Sequence, residues 1–256
     1  MAFHFLTGAG SGIGEALATR LVDRGDNLVL LARSEDRARA LRERFPGATT
    51  VVADLAEPER LAEALGAQLL PERLDSLIHV AGVVELGRVD VLPVSSWTWQ
   101  LGVNLIGPAE LTRILLPALR GVTGQVVFVN SGAGLRTSPE WSAYAASKHG
   151  LKALADGLRA EEAAHGVRVS SVFPGRTATP MQAQVHEQEG RPYDPSGFID
   201  PESVVTGILT MLDLPRDAQI TELMMRQAPD GPLLAGEESG EPEGFDFDAF
   251  ITAKKQ

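Results

Sequence analysis

Ser131, Tyr144 and Lys148 are the residues of this sequence whose types and spacing can do chemistry together. Ser131 closes an apolar, strand-like run of Val126, Val127, Phe128 and Val129, and a loop rich in Gly, Ser and Pro follows it. Tyr144 and Lys148 come four apart in an alanine-rich segment that the composition predicts to be helical. That spacing puts both side chains on one helix face. A tyrosine hydroxyl has a pKa near 10, so only about one molecule in a thousand is ionised at neutral pH. Lowering it by about three units takes about 4 kcal/mol. A cation within ~4 to 5 Å at an effective dielectric near 20 supplies most of that, and Lys148 is the candidate. Ser131 can then donate a hydrogen bond to a carbonyl oxygen while Tyr144 gives or takes a proton, which is general acid-base chemistry beside a positioned electrophile. By itself the Tyr/Lys pair also fits an ordinary surface pair on a helix, so the weight falls on the elements around it.

Those elements alternate. An apolar strand over residues 2–6 runs into Thr7-Gly8-Ala9-Gly10-Ser11-Gly12-Ile13-Gly14 and then a helix over 15–23. Strand, glycine turn and helix are the setting in which a pyrophosphate meets backbone N–H groups at a helix N-terminus. Gly8 permits the tight turn, Gly12 the close approach and Gly14 the packing of helix on strand. The second strand, 27–32, ends in Arg33-Ser34 before a charged helix over 35–44. At that position an acidic residue favours a free ribose 2'-hydroxyl and a basic one a 2'-phosphate, so Arg33 predicts NADP(H) over NAD(H). A third strand over 49–53 ends in Asp54-Leu55, where Asp54 either accepts from an adenine amino group or caps the turn before a helix over 58–70.

A fourth strand over 74–80 ends in Ala81-Gly82, and its His79 reads as a structural polar group because no second metal-type residue has suitable spacing. One long helix is predicted over 95–119, strained near Gly107-Pro108 and carrying Asn104. A sixth strand over 167–173 leads into Pro174-Gly175-Arg176-Thr177-Ala178-Thr179-Pro180-Met181. Residues 182–197 are polar with Gly and Pro and predict a mobile lid, with Met181, Tyr193 and Phe198 as apolar wall candidates. A helix over 201–212 and a last strand over 219–225 complete the pattern.

The expected fold is therefore α/β, a single-domain, Rossmann-type doubly wound parallel sheet of about seven strands flanked by helices, over residues 1–229. Ligands sit outside the carboxyl ends of such strands, and every residue singled out falls there. Residues 230–256 form an acidic tail, expected to be partly flexible, whose three phenylalanines Phe245, Phe247 and Phe250 suggest that its end docks. The chain has 256 residues, no cysteine and a net charge of -11. No disulfide framework or thiolate metal site is available, and no basic stripe offers itself to nucleic acid or an anionic membrane. With no signal-like N-terminus and no apolar run of membrane-spanning length, the expectation is a cytoplasmic protein.

The residues so assembled resemble the short-chain dehydrogenase/reductase family over about residues 2 to 225. Thr7-Gly8-x-x-x-Gly12-x-Gly14 is similar to its cofactor turn, Tyr144-x-x-x-Lys148 to its active-site signature, and Ser131 stands at its catalytic-serine spacing. Asn104 resembles the helix asparagine tied to a water-mediated proton relay to the lysine. Pro174-Gly175 and Thr179 resemble the loop that holds the nicotinamide carboxamide. The resemblance implies Tyr144 as general acid/base, Ser131 orienting the carbonyl, and Lys148 holding the nicotinamide ribose and lowering the tyrosine pKa. It also implies cofactor contacts from Gly8, Ser11, Gly12, Ile13, Gly14, Arg33, Asp54, Leu55, Ala81, Gly82, Pro174, Gly175, Thr177 and Thr179. The implied substrate is a small carbonyl or alcohol, in a homodimer or homotetramer. A catalytically silent NADP(H) sensor on the same fold is the alternative, and a third possibility works through the acidic, aromatic tail. One departure stands out: His79-Val80-Ala81-Gly82 replaces the usual Asn-Asn-Ala-Gly, which puts that loop's hydrogen bonding in doubt. Arg176, beside the nicotinamide loop, has three options: solvent, the cofactor pyrophosphate or a substrate carboxylate.

Overall fold

Alternating apolar strands and amphipathic helices produce the expected layers. The computed structural model describes residues 1–68 and 70–228, so the tail and the docking expected of its phenylalanines lie outside the described residues. The strands are β1 (Phe3–Thr7), β2 (Asn27–Ala32), β3 (Thr49–Val52), β4 (Ser76–His79), β5 (Gln125–Val129), β6 (Arg168–Pro174) and β7 (Glu222–Met225). All pair in parallel, in the order β3-β2-β1-β4-β5-β6-β7. The order reverses between β1 and β4, which opens a crevice at their carboxyl ends.

The period of two along each strand divides the core. Phe5, Leu77, Val126 and Phe128 point to one face, under α3 (Leu61–Gly66), α5 (Gly107–Arg120) and α6 (Ser142–Glu162). Their neighbours Leu6, Ile78, Val127 and Val129 point to the other, under α1 (Gly12–Asp23), α2 (Glu35–Arg44) and α8 (Pro201–Asp213). Each fully buried leucine contributes roughly 1.5 to 3 kcal/mol, so these two faces outweigh the exposed ion pairs around the surface.

Two expectations change. The helix foreseen over 95–119 is three pieces: α4 (Val94–Leu101), a π-helical turn Gly102–Ile106, and α5. Pro108 has no N–H to close on the carbonyl of Asn104 four residues earlier, so the ladder widens there. The segment foreseen as a lid begins with a helix, α7 (Pro180–Gln188), whose Gln182, Val185 and His186 are buried. Its start carries ordinary signals, Pro180 in the first turn and Thr179 accepting a hydrogen bond from the Gln182 N–H. Farther along, the Leu86 N–H donates to Gln188 Oε1 at 2.7 Å, which pins the helix to the loop after β4. Among the described residues no helix is long and apolar enough to cross a membrane.

Candidate active site

The loops leaving the carboxyl ends of the strands enclose a cleft of about 1210 Å³. Single small-ligand pockets run from roughly 300 to 1,000 Å³, so this one has room for a dinucleotide and a further small molecule. It runs from Arg33, past the glycine turn, to Ser131 and Tyr144.

At the turn, Gly8 (φ 78°) and Gly12 (φ 55°) adopt the left-handed conformation that glycine tolerates. A Cβ on Gly12 would stand 2.9 Å from Thr179 Cγ2, so its absence lets the loop after β6 close over the turn. Ser11 occupies the N-cap of α1, yet its hydroxyl makes no capping bond, whereas Ser34, Thr179 and Asp200 cap α2, α7 and α8. The first N–H groups of α1 are thus left to face the cleft beside Ile13 and Gly14, an arrangement that suits a pyrophosphate. Arg33, Asp54, Leu55, Ala81, Gly82, Pro174, Gly175, Thr177 and Thr179 line the same cleft. Asp54 does cap its turn, Oδ1 accepting from the Ala56 N–H at 2.9 Å, while its place in the wall keeps it within reach of a ligand.

The loop after β4 keeps its shape without the two amides. Thr7 Oγ1, at the end of β1, accepts from the N–H groups of both Val80 and Ala81 at 3.1 Å. His79 points away from the cleft: its Nε2 meets Thr112 Oγ1 at 2.9 Å and its ring stacks on Phe128 at 4.9 Å. Burial, with Lys148 nearby, lowers its pKa to about 3, so it is a neutral structural group. No metal-type cluster occurs among the described residues.

The reactive residues meet where β5 ends against α6. Tyr144 and Lys148 are both buried, with Lys148 Nζ 5.9 Å from the Tyr144 ring centroid and donating to the Val129 carbonyl at 3.1 Å. Ser131 and Tyr144 line the same part of the cleft, and the Ser131 hydroxyl accepts from the Ala133 N–H at 3.1 Å. The pKa of Tyr144 runs opposite to the expectation from sequence. Burial pushes it up to about 12, and only the nearby Ser131 hydroxyl opposes the rise. Spacing put Lys148 on the face of α6 that carries Tyr144, but the dry surroundings the two share penalise the phenolate.

Burial likewise lowers Lys148 from 10.5 to about 8. Between those values the unfolded chain holds a proton that the folded chain has released, so stability rises with pH in that window and is lost as pH falls through 8. Without nucleotide, the wild type is expected to gain about 2 kcal/mol on Lys148→Met between pH 7 and 9.5 in urea unfolding. A constant difference between the two proteins would mean that the lysine is not held in a dry site.

Two buried amides join these elements. Asn104 stands behind the cleft wall, its Oδ1 accepting from the Val83 N–H at 2.8 Å and its Nδ2 donating to the Val83 carbonyl and to Ser147 Oγ. Both of its amide donors are therefore committed, while Oδ1 keeps one lone pair free on the side of Gly82 and Lys148. Asn130, which spacing arguments passed over, accepts from the Ser131 N–H at 2.8 Å and donates to the Lys148 carbonyl at 3.1 Å. It locks Ser131 against the helix of Tyr144. A polar residue closing an apolar strand was the available signal.

Arg176 lines the cleft and has a partner within the chain that was not among the options foreseen for it. It forms a bidentate pair with Glu189 at 2.7 and 3.0 Å, meets His186 Nε2 at 3.2 Å and lies over Trp141. Tyr193 and Phe198 stack on each other and pack edge-on against His186 rather than lining the cleft. Its apolar wall is Met181, as foreseen, with Val84, Trp141 and Val185.

Comparison with known proteins agrees with this geometry. A family model described as short chain dehydrogenase matches residues 3–190. A glycine betaine reductase of Emericella nidulans is 33% identical over 233 residues, which cover 86% of this chain and 18% of that protein. An uncharacterized NAD-dependent oxidoreductase of Mycobacterium tuberculosis is 32% identical over 237 residues, 78% of this chain and 85% of that protein. The chain thus spans less than a fifth of the first relative and most of the second. Among solved structures, an alcohol dehydrogenase from the archaeon Thermococcus sibiricus, complexed with 5-hydroxy-NADP, has a TM-score of 0.73 at 26% identity, covering 90% of this chain and 99% of that one.

Proposed function

Since this chain belongs to the short chain dehydrogenase family of oxidoreductases, we propose that it is an NADP(H)-dependent carbonyl reductase whose proton donor is Tyr144. The observation that carries the reading is the meeting of Ser131, Tyr144 and Lys148 in one cleft that continues to the uncapped N-terminus of α1. Bound NADPH supplies a hydride from nicotinamide C4 to the carbonyl carbon. Ser131 orients the carbonyl oxygen, and Tyr144 delivers a proton to it as the C–O bond is reduced. A raised tyrosine pKa suits this direction, because the hydroxyl keeps its proton at neutral pH. Lys148 offers its remaining donors to the nicotinamide ribose. Asn104 acts as a positioning residue, holding the π turn, the loop after β4 and α6 in one arrangement.

The choice of NADP(H) rests on the end of β2. Arg33 and Arg37 line the cleft there, and neither forms an ion pair among the described residues. The nearby carboxylates Glu35 and Asp36 lie outside the cleft wall and pair with Arg42 and Arg39, while Arg44 pairs with Glu15. A 2'-phosphate would complete the unpaired guanidinium groups; a bare ribose would leave them idle.

The test follows the loss of NADPH absorbance, with NADH in parallel, across ketones, aldehydes, 3-oxo acids and quinones. Turnover preferring NADPH is expected. Arg33→Ala should weaken NADPH binding about 30-fold and leave NADH within about threefold, since a charge-assisted hydrogen bond is worth roughly 1.5 to 3 kcal/mol. Equal losses for both nucleotides would remove the phosphate from the argument. Tight NADPH binding with no turnover on any substrate class would favour a sensor.

A further inference from the structure

We propose that the carbonyl substrate carries a carboxylate close to its reacting carbon, and that Arg226 holds it. The reaction rests on the reductase reading above; what is added is the chemistry of the molecule reduced.

Arg226 is the residue after β7, which brings it beside the ends of β5 and β6. Its guanidinium lies over Gly132, with Nη2, Cζ and Nη1 only 3.8 to 3.9 Å from where a Cβ would stand. Gly132 directly follows Ser131, so the cation sits one residue from the group that orients the carbonyl. A Cβ at 132 would rest on that flat face at ordinary contact distance, and glycine leaves it uncovered. Nη1 donates to the carbonyls of Phe173 and Met225 at 3.2 and 3.0 Å, which fixes the fork in direction. No described protein group accepts from Nη2, and no carboxylate among the described residues pairs with Arg226. Arg176 illustrates the opposite case, since Glu189 closes both of its donors.

The surroundings have the same sign. Arg136 lines the cleft one helical turn from Gly132, its N–H donating to the Gly132 carbonyl at 3.3 Å, and Arg191 lines the mouth. Neither has an ion-pair partner among the described residues. Of the two carboxylates at this end, Glu189 is already paired and Glu140 stands alone. A chain of net charge -11 thus presents an excess of positive charge beside its reactive serine. Gln182 adds a second unsatisfied donor: it is 7% exposed, lines the cleft, and its Nε2 has no partner. Fixed guanidinium donors and a buried amide call for acceptor oxygens. The short reach from Gly132 to Ser131 places the anionic group within a few bonds of the carbonyl.

The experiment compares 2-oxobutanoate, 3-oxobutanoate and 4-oxopentanoate with their methyl esters in NADPH oxidation. Wild type, Arg226→Ala and Arg226→Lys are run side by side. For the best acid, kcat/KM is expected to exceed that of its ester by about 30-fold, mainly through KM, the size of one charge-assisted contact. The ratio should collapse toward one in Arg226→Ala and recover partly in Arg226→Lys. Calorimetry with NADPH-loaded Tyr144→Phe gives a readout without turnover, in which the acid binds and the further change Arg226→Ala removes it. Esters reduced as well as acids, or an acid preference that survives Arg226→Ala, would overturn the anion assignment while the reductase reading stood. Arg226-dependent binding of an acid with no turnover of any compound would support the anion site and overturn the reductase reading. Absence of both binding and turnover would overturn the two together.

Discussion

Tyr144→Phe is expected to lower kcat/KM for carbonyl reduction by about a thousandfold while NADPH affinity stays within about threefold of wild type, because a positioned general acid typically contributes 10² to 10⁴. The substitution removes one oxygen and little else. The ring packs edge-on against Trp141 at 5.7 Å and lies against Val84 and Val185, and phenylalanine keeps those contacts. Ser131 retains its place through the Asn130 carbonyl oxygen of the side-chain amide and its own contact with the Ala133 N–H. Lys148 retains its bond to the Val129 carbonyl. What disappears is a hydroxyl beside Ser131 in the cleft that burial holds protonated at neutral pH. Steady-state rates and nucleotide titration on the same preparation check the prediction. Loss of turnover together with NADPH affinity would mean that the hydroxyl serves binding rather than proton transfer, and unchanged turnover would remove Tyr144 from the chemistry.

Gly14→Ala is expected to be the most damaging small substitution in the cofactor turn, costing about 3 kcal/mol or more, at the upper end of what overpacking a well-packed site costs. A Cβ at position 14 would lie well inside contact distance of the Gly8 carbonyl, closer than any real Cβ contact. Gly8 cannot yield, because the backbone of Val80 and Ala81 already stands within 3 Å of where its own Cβ would be. The methyl group must therefore lift α1 away from β1 and spoil the N–H groups that face the cleft. Gly10→Ala is the control. Nothing lies within 4 Å of a Cβ there, and the backbone is not left-handed, so stability should change by less than about 1 kcal/mol. Thermal unfolding should place Gly14→Ala about 6 to 12 °C below Gly10→Ala, given roughly 2 to 4 °C per kcal/mol in a chain of this size. Similar melting points would show that the helix is not packed on the turn through this glycine.

The parallel sheet and most of the cleft were legible in the chain because both depend on short-range patterns. Apolar runs such as Val126 to Val129 and amphipathic helices repeat at periods of two and 3.6, and each strand delivers its last residues to the same edge. Gly8, Ser11, Arg33, Ala81, Ser131, Gly175 and Thr179 consequently line one cleft. The misreadings arose where a distant partner decides. The π turn at Asn104 follows from a missing N–H four residues later, which a search for apolar spacing does not weigh. Residues 182–197 looked like an open connector because their polar side chains have their partners elsewhere. Gln188 meets the Leu86 N–H and Glu189 meets Arg176.

What the sequence by itself determined is the chemistry available and its rough order in space: a serine, a tyrosine and a lysine beyond strand ends, a glycine turn opening a helix, and an arginine after the second strand. The protonation of those groups, the partner of each arginine and the wall of the substrate end were decided only by the tertiary structure. The physical reason is that burial and pairing are sums over neighbours from every part of the chain. A tyrosine four residues from a lysine has one pKa in water and another, about 12, when α6 is pressed against the end of β5. Arg176 and Arg226 are the same residue type near the same strand end. The fold neutralises one with Glu189 and leaves the other against Gly132 with no carboxylate partner among the described residues.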